Sequence, residues 1–256
     1  MNIDTILYII KFLSIHEKKK FLQLNKECYA CGKYMFKTNV IQVTNDNIEW
    51  IKKYKPQLKI NDINYVNLPN IVELHLNHLL LTQLPQSIGQ LVNLQTLYLC
   101  YNRLTQLPDF IGQLINLQDL SLRNNQLTEL PDFIGQLINL QTLDLRHNRL
   151  TLLPESVGQL VNLQTLYLYS NQLTPLPESI GQLVNLQTLN LSDNQLTLLP
   201  ESIGQLVNLQ TLYLCYNRLT FLPIEQLVNL QTLNLSSNQL TLLPESIRQL
   251  VHLQDL

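Results

Sequence analysis

After Lys59 the chain has no lysine, and that absence is the first sign that its 256 residues divide in two. All eleven lysines lie in residues 1–60 against five acids, a net charge of +6, whereas the rest carries six arginines against fourteen acids, a net of −8. Two compositions indicate two modules, 1–60 and 61–256, that meet near residues 61–70. A long acidic part and scattered lysines exclude a basic groove for nucleic acid. The one lysine run, Lys18 to Lys20, reads as a solvated helix face, with a weak contact to an acidic partner or membrane surface as its functional alternative. No segment approaches the roughly 18 apolar residues of a membrane-spanning helix. The short run Ile6 to Ile10 is preceded by Asp4 and lacks the small-residue cleavage site of a secretory signal.

Cysteine and glycine are also scarce, at four and seven residues. Cys28 and Cys31 form a lone C-x-x-C with no second pair and no suitably spaced histidines, so they read as packing residues of a helix rather than zinc ligands. Cys100 and Cys215 recur at one position of units five apart, roughly 24 Å at one strand spacing per unit, which is too far for a disulfide. Free thiols, and sequons at Asn190 and Asn234 expected to stay unglycosylated, agree with a cytoplasmic location. Six of the glycines are single residues at one recurring offset, so no phosphate-cradling loop is present. The histidines His16, His75, His78, His147 and His252 are dispersed, and no nucleophile lies beside a base. Catalysis, a metal and a cofactor are therefore not expected.

What the chain does have is a repeat. Units start at Ile71, Leu94, Leu117, Leu140, Leu163, Leu186, Leu209 and Leu230, with a ninth begun at Leu253; every step is 23 residues except 209 to 230, which is 21. The copy from Leu94 to Gln113 can be written L-x-x-L-x-L-x-x-N-x-L-x-x-L-P-x-x-I-G-Q. A strict period of this length means a solenoid. Leu97 and Leu99 alternate with Tyr98 and Cys100, a period of two that marks a strand with one buried face, so each unit supplies one short parallel strand. Leu94, Leu97, Leu99, Leu104, Leu107, Ile111 and Leu114 are expected to point inward. A unit of this size buries too little to offset its own ordering, and stability must come from stacking.

The asparagines Asn102, Asn125, Asn148, Asn171, Asn194, Asn217 and Asn238 hold one offset where the chain leaves the strand, a ladder able to bond turn backbone of its own and the adjacent unit. The prolines from Pro85 to Pro244 end an extended turn. Segments such as Glu178 to Leu186 are too short for a long helix and predict one or two helical turns on the convex side. In the first unit Leu79 replaces the ladder asparagine and Leu80 should be exposed.

These motifs resemble the leucine-rich repeat family, in particular the short intracellular subclass with L-P-x-x-I-x-x-L after the asparagine. The resemblance implies an α/β solenoid, a curved array with a concave parallel sheet, acting as a scaffold for a protein partner. Ahead of it, Ile3, Ile6, Leu7, Ile10 and Leu13 repeat at helical spacing and Phe21, Leu22 and Leu24 follow, which predicts a small helical module. Residues 2–37 resemble a divergent F-box: Ile6-Leu7-x-x-Ile10 and Phe12-Leu13 match its first helix and Asn25 to Cys28 a later part, though the leading Leu-Pro is missing and Tyr34 or Phe36 stands for the late tryptophan. This implies contacts of Ile6, Leu7, Ile10 and Leu13 with a ubiquitin-ligase linker protein; the other reading is a helical cap over the first strand. Lysine, asparagine and isoleucine enrichment outside the repeats, joined to such an end, resembles repeat proteins of large DNA viruses of amoebae, and so implies the host cytoplasm.

Binding must use the variable strand positions one, three and four residues after the second leucine of each unit, where equivalent residues of neighbouring units stand about 5 Å apart. Tyrosine and arginine, the usual hot-spot residues, concentrate there as Tyr98, Tyr101, Arg123, Arg146, Tyr167 and Tyr169, with Asp144 beside the arginines and a second group at Tyr213 and Tyr216. Arg123 and Arg146 side by side are a receiver for a partner carboxylate or phosphate. Yet residues 93–105 and 208–220 are identical, so some tyrosines have been copied with their unit. Finally, the sequence stops at Leu256 partway through a strand, from which self-association through an open C-terminal edge is expected.

Overall fold

A computed structural model describes residues 72–254 apart from positions 85, 243 and 244. The module expected at residues 1–60, with Ile6, Leu7, Ile10, Leu13, the Cys28 and Cys31 pair and the lysine run, lies outside the described residues.

Each unit contributes one strand of three residues: β1 Glu73–His75, β2 Thr96–Tyr98, β3 Asp119–Ser121, β4 Thr142–Asp144, β5 Thr165–Tyr167, β6 Thr188–Asn190, β7 Thr211–Tyr213 and β8 Thr232–Asn234. They form one parallel sheet in chain order. The register repeats without slippage, with Leu74 opposite Leu97, Leu97 opposite Leu120 and so on to Leu212 opposite Leu233. The leucines of the alternating pattern supply a single continuous core. The seven inward residues of the second unit, Leu94, Leu97, Leu99, Leu104, Leu107, Ile111 and Leu114, are all buried. At about 25 cal/mol per Å² of apolar surface removed from water, this leucine column is the main stabilising term.

On the convex side the return path is a five-residue 3-10 helix in most units, for example Asp109–Gln113 and Glu178–Gln182. The preceding proline is extended, as at Pro177 (φ −70°, ψ 151°), and its carbonyl accepts from Ile180, so the ring that ends the turn also starts the helix. Consecutive helices press together at glycine. A Cβ on Gly158 would lie 2.6 Å from both the Ser179 carbonyl oxygen and Gln182 Oε1. On Gly204, whose neighbouring unit has no helix, the nearest atom would be 3.4 Å away. That neighbour is the 21-residue unit, in which Ile224 follows Pro223 directly and is buried, and Leu227 N–H still closes on its carbonyl at 3.1 Å. The two missing residues come out of the convex turn and leave the sheet untouched.

The asparagine ladder forms as the offset predicts. Asn148 Oδ1 accepts from Leu127 N–H in the preceding unit at 3.0 Å, and its Nδ2 donates to Leu122 and Leu145 carbonyls, both at 3.0 Å. A buried amide thus ties three backbone groups of two units, which makes it a structural device. In the first unit, Leu79 and Leu81 N–H both donate to Asn102 Oδ1, so the next ladder residue covers the irregular position, and Leu80 is exposed.

Candidate functional site

Immediately before each ladder asparagine the backbone turns left-handed. His78, Tyr101, Asn124, His147, Ser170, Asp193, Tyr216 and Ser237 all have φ between 53° and 57°. None is glycine, and for most side chains the conformation costs about 1 kcal/mol, less for Asn, Asp and His. The turn carries no sequence signal, because the usual one is glycine. Its effect is to aim the third variable column across the concave surface toward the second column of the next unit.

Through the first five units, rings and guanidinium groups pair with neighbours on this face. The His75 ring packs against Tyr98 at 4.7 Å between centroids, and His78 stacks on Tyr101 at 4.3 Å with an interplanar angle of 11°. The guanidinium carbon of Arg123 lies 5.7 Å from the Tyr101 ring centre, and Arg123 Nε donates to Asn124 Oδ1 at 3.0 Å. Arg146 lies 4.6 Å over Tyr167, and His147 meets Tyr169 edge-on at 5.0 Å. Cation–π and aromatic contacts of this kind each contribute about 0.5–1 kcal/mol and hold the rings in fixed poses.

Asp144 is placed differently from the rest. It is buried and engages Arg146 through two hydrogen bonds, Nε to Oδ1 at 2.9 Å and Nη2 to Oδ2 at 2.6 Å, while Ser121 Oγ donates to it at 3.4 Å and Cys100 Sγ lies 3.0 Å from Ser121. Donating to the Asp144 carboxylate holds the Arg146 guanidinium above its ordinary pKa. Burial pushes the Cys100 thiol up, so it stays protonated and is a poor nucleophile. Burial also raises the Tyr98 phenol and lowers the His75 imidazole. His147 is lowered as well, by burial first and then by the positive charges of Arg123 and Arg146, so at neutral pH it is an uncharged ring in a positive field. Among the described residues there is no group of three or more His, Cys, Asp and Glu arranged to hold a metal.

The second predicted group is sparser. Tyr216 is 63% exposed against 40% for Tyr101, and among the described residues neither Tyr213 nor Tyr216 has a ring or cation partner. Cys215 donates back to Ser192 at 3.0 Å rather than forward.

Two further surfaces were hidden in plain repetition. The asparagine of each N-L-Q is a second ladder, as in Asn139 Nδ2 to the Ile115 carbonyl at 2.9 Å; with the adjoining glutamines it lines a polar groove of about 610 Å³ from Gln118 to Gln210. The residue after each outer threonine changes character along the array, from Gln83, Gln106 and Glu129 to Leu152, Pro175, Leu198, Phe221 and Leu242, all of the latter exposed.

Known proteins fit this architecture. Models of the leucine-rich repeat match residues 93–114, 162–219 and 207–256, and a model of the leucine-rich repeat region matches 109–175. A leucine-rich repeat protein of Leptospira interrogans superposes with a TM-score of 0.67 at 48% identity over 68% of this chain. The functional domain of InlJ from Listeria monocytogenes, which includes a cysteine ladder, superposes at 0.63 with 27% identity over 73%. These matches span 45% and 38% of those two chains, less than half of each. Internalin C2 of Listeria monocytogenes is matched over 99% of its length and 86% of this chain, at 26% identity and a TM-score of 0.69. No curated protein sequence matches the chain. The repeat motifs, the sheet with one strand per unit and these likenesses agree: the chain belongs to the leucine-rich repeat proteins.

Proposed function

We propose that the array is a non-catalytic interaction scaffold that receives a protein partner on its concave face between Tyr98 and Tyr169. The observation that carries this reading is the set of rings and guanidinium groups on and just past β1 to β5, in which each large side chain is braced by a neighbour before any partner arrives. Braced aromatic and arginine side chains lose little conformational freedom on binding, which is the usual property of a hot spot. Tyr98, Tyr101, Arg123, Arg146, Tyr167 and Tyr169 are the contact residues, Asp144 supports Arg146 from beneath, and Tyr213 and Tyr216 lie at the periphery.

Proximity labelling in the native cell supplies partners, and purified variants locate the contact. Tyr98→Ala with Tyr169→Ala should weaken partner binding by at least tenfold, and Tyr213→Ala with Tyr216→Ala by less than threefold. Equal losses, or loss only on substituting the exposed convex residue Ile138, would remove the concave reading.

A second reading rests on the F-box-like pattern at residues 2–37: a cytoplasmic adaptor in which Ile6, Leu7, Ile10 and Leu13 hold a ubiquitin-ligase linker while the repeats hold a substrate. A pull-down of the full chain against the linker protein, with Ile6→Glu and Leu7→Glu as the control variant, tests it directly. Absence of binding by the unaltered chain ends it.

A further inference from the structure

The two concave arginines look equivalent in sequence, one per unit at the same offset, yet they do not have the same bonds to offer. Arg146 already has its carboxylate: Asp144 takes one hydrogen bond from Nε and one from Nη2, so this fork is neutralised and occupied. Among the described residues Arg123 has no carboxylate within 4 Å, and its guanidinium makes one hydrogen bond, from Nε to the neutral Asn124 amide. Tyr101, itself stacked on His78, lies against the guanidinium. The side chain is held by its Nε and by the neighbouring ring, and the two terminal amino groups are left over.

From this geometry we infer that Arg123 is an anion receptor for an extended acidic peptide segment of the partner, taking one carboxylate in a two-pronged pair across its terminal amino groups. The inference rests on the concave-face reading and names the chemistry of its occupant. Charge decides the choice of occupant. The Arg146–Asp144 pair is neutral and Arg123 adds an uncompensated positive charge, so an acidic segment is complementary where a basic one is repelled. A planar guanidinium with its Nε already tethered loses little freedom on pairing, and its fork matches a carboxylate better than an ammonium would. Neutral His147, which follows Arg146 directly, and Tyr169 against it complete the wall beside the receptor. Arg146 meets a partner by packing rather than by charge, since its guanidinium is paired with Asp144 and lies over Tyr167.

Selection of a random twelve-residue displayed peptide library against the full chain tests this. Recovered peptides should be enriched in Asp and Glu, and the same selection against Arg123→Gln should lose that enrichment. For one recovered peptide, fluorescence anisotropy should show at least a tenfold loss with Arg123→Gln and less than threefold with Arg149→Gln, which removes the same charge from an exposed arginine outside the concave columns. A version of the same peptide with phosphoserine in place of its key acid distinguishes the two sources of anion: equal or weaker binding supports the carboxylate, and binding tighter by more than tenfold overturns it in favour of a phosphorylated segment. Peptides without acidic enrichment that still lose affinity on Tyr98→Ala/Tyr169→Ala overturn the anion receptor and keep the concave face. Peptides indifferent to every concave substitution overturn both.

Discussion

Residues 93–105 and 208–220 are the same thirteen letters, N-L-Q-T-L-Y-L-C-Y-N-R-L-T, set in two different neighbourhoods. Their backbones agree: Tyr101 and Tyr216 have φ of 55° and 56°, and Leu104 and Leu219 N–H donate respectively to Asn125 and Asn238, each at 3.0 Å. Their side-chain surroundings do not. Tyr101 lies between His78 and Arg123, whereas Tyr216 stands largely in solvent with Asp193 on one side and Ser237 on the other as column neighbours. Within a solenoid a unit's own sequence sets its fold, and its neighbours' sequences set its surface chemistry. A copied unit therefore inherits a shape but not a site.

The comparison breaks most heavily if the cores differ. Leu99→Ala and Leu214→Ala remove equally buried side chains, so both should cost about 2–5 kcal/mol in urea denaturation. A gap between them larger than about 1 kcal/mol would mean that the environments diverge below the surface too. A smaller effect sharpens the contrast at the surface. Tyr216→Asn should stabilise by about 0.5–1 kcal/mol, since asparagine tolerates the left-handed turn and no ring contact is lost. The same change at Tyr101 should gain nothing or cost stability, because it removes the stack on His78. Thermal melts of the two variants decide between these outcomes.

The last and smallest effect is that of pH. Burial lowers His147 in the folded state, helped by Arg123 and Arg146 and opposed by Asp193 and Asp144. The unfolded chain then binds this proton more readily than the folded one, so stability is full above the ordinary histidine range and falls as the pH drops through it. Between pH 7.5 and 5.5 the urea midpoint should decrease, and His147→Asn should reduce that decrease while leaving the part due to His75, which burial also lowers. An unchanged pH response in His147→Asn would show that burial and the two arginines together shift this imidazole less than the geometry implies.

The array was legible from period alone. A two-residue alternation around Leu97 and Leu99 specifies a strand, a 23-residue step specifies its parallel partner, and Pro followed by a short polar segment specifies the convex turn. The variable columns beside the buried leucines were legible for the same reason. Two features were not. The non-equivalence of Arg123 and Arg146 depends on rotamers, on whether a carboxylate two residues away turns toward its neighbour, and strand spacing cannot tell that. The left-handed residues before the ladder are His, Tyr, Asn, Ser and Asp, with Leu80 a further one in the irregular first unit, so no glycine announces the turn; the stacked asparagine amides hold it instead. The second asparagine ladder shows the converse, a signal present in successive units whose role period alone does not reveal, because recurrence does not say which carbonyl an amide reaches.

The shortened unit carries a consequence beyond its own turn. Because Ile224 takes the core place of a longer segment and Leu233 still faces Leu212, length can be lost from the outside of the coil without changing the pitch at which concave side chains follow one another. The array behaves as a ruler whose back can be trimmed while its graduations stay in place. Gain, loss or exchange of units by recombination between near-identical copies would then lengthen or reorder the inner surface in whole steps, presenting new combinations of neighbours to a partner while every strand remains in register.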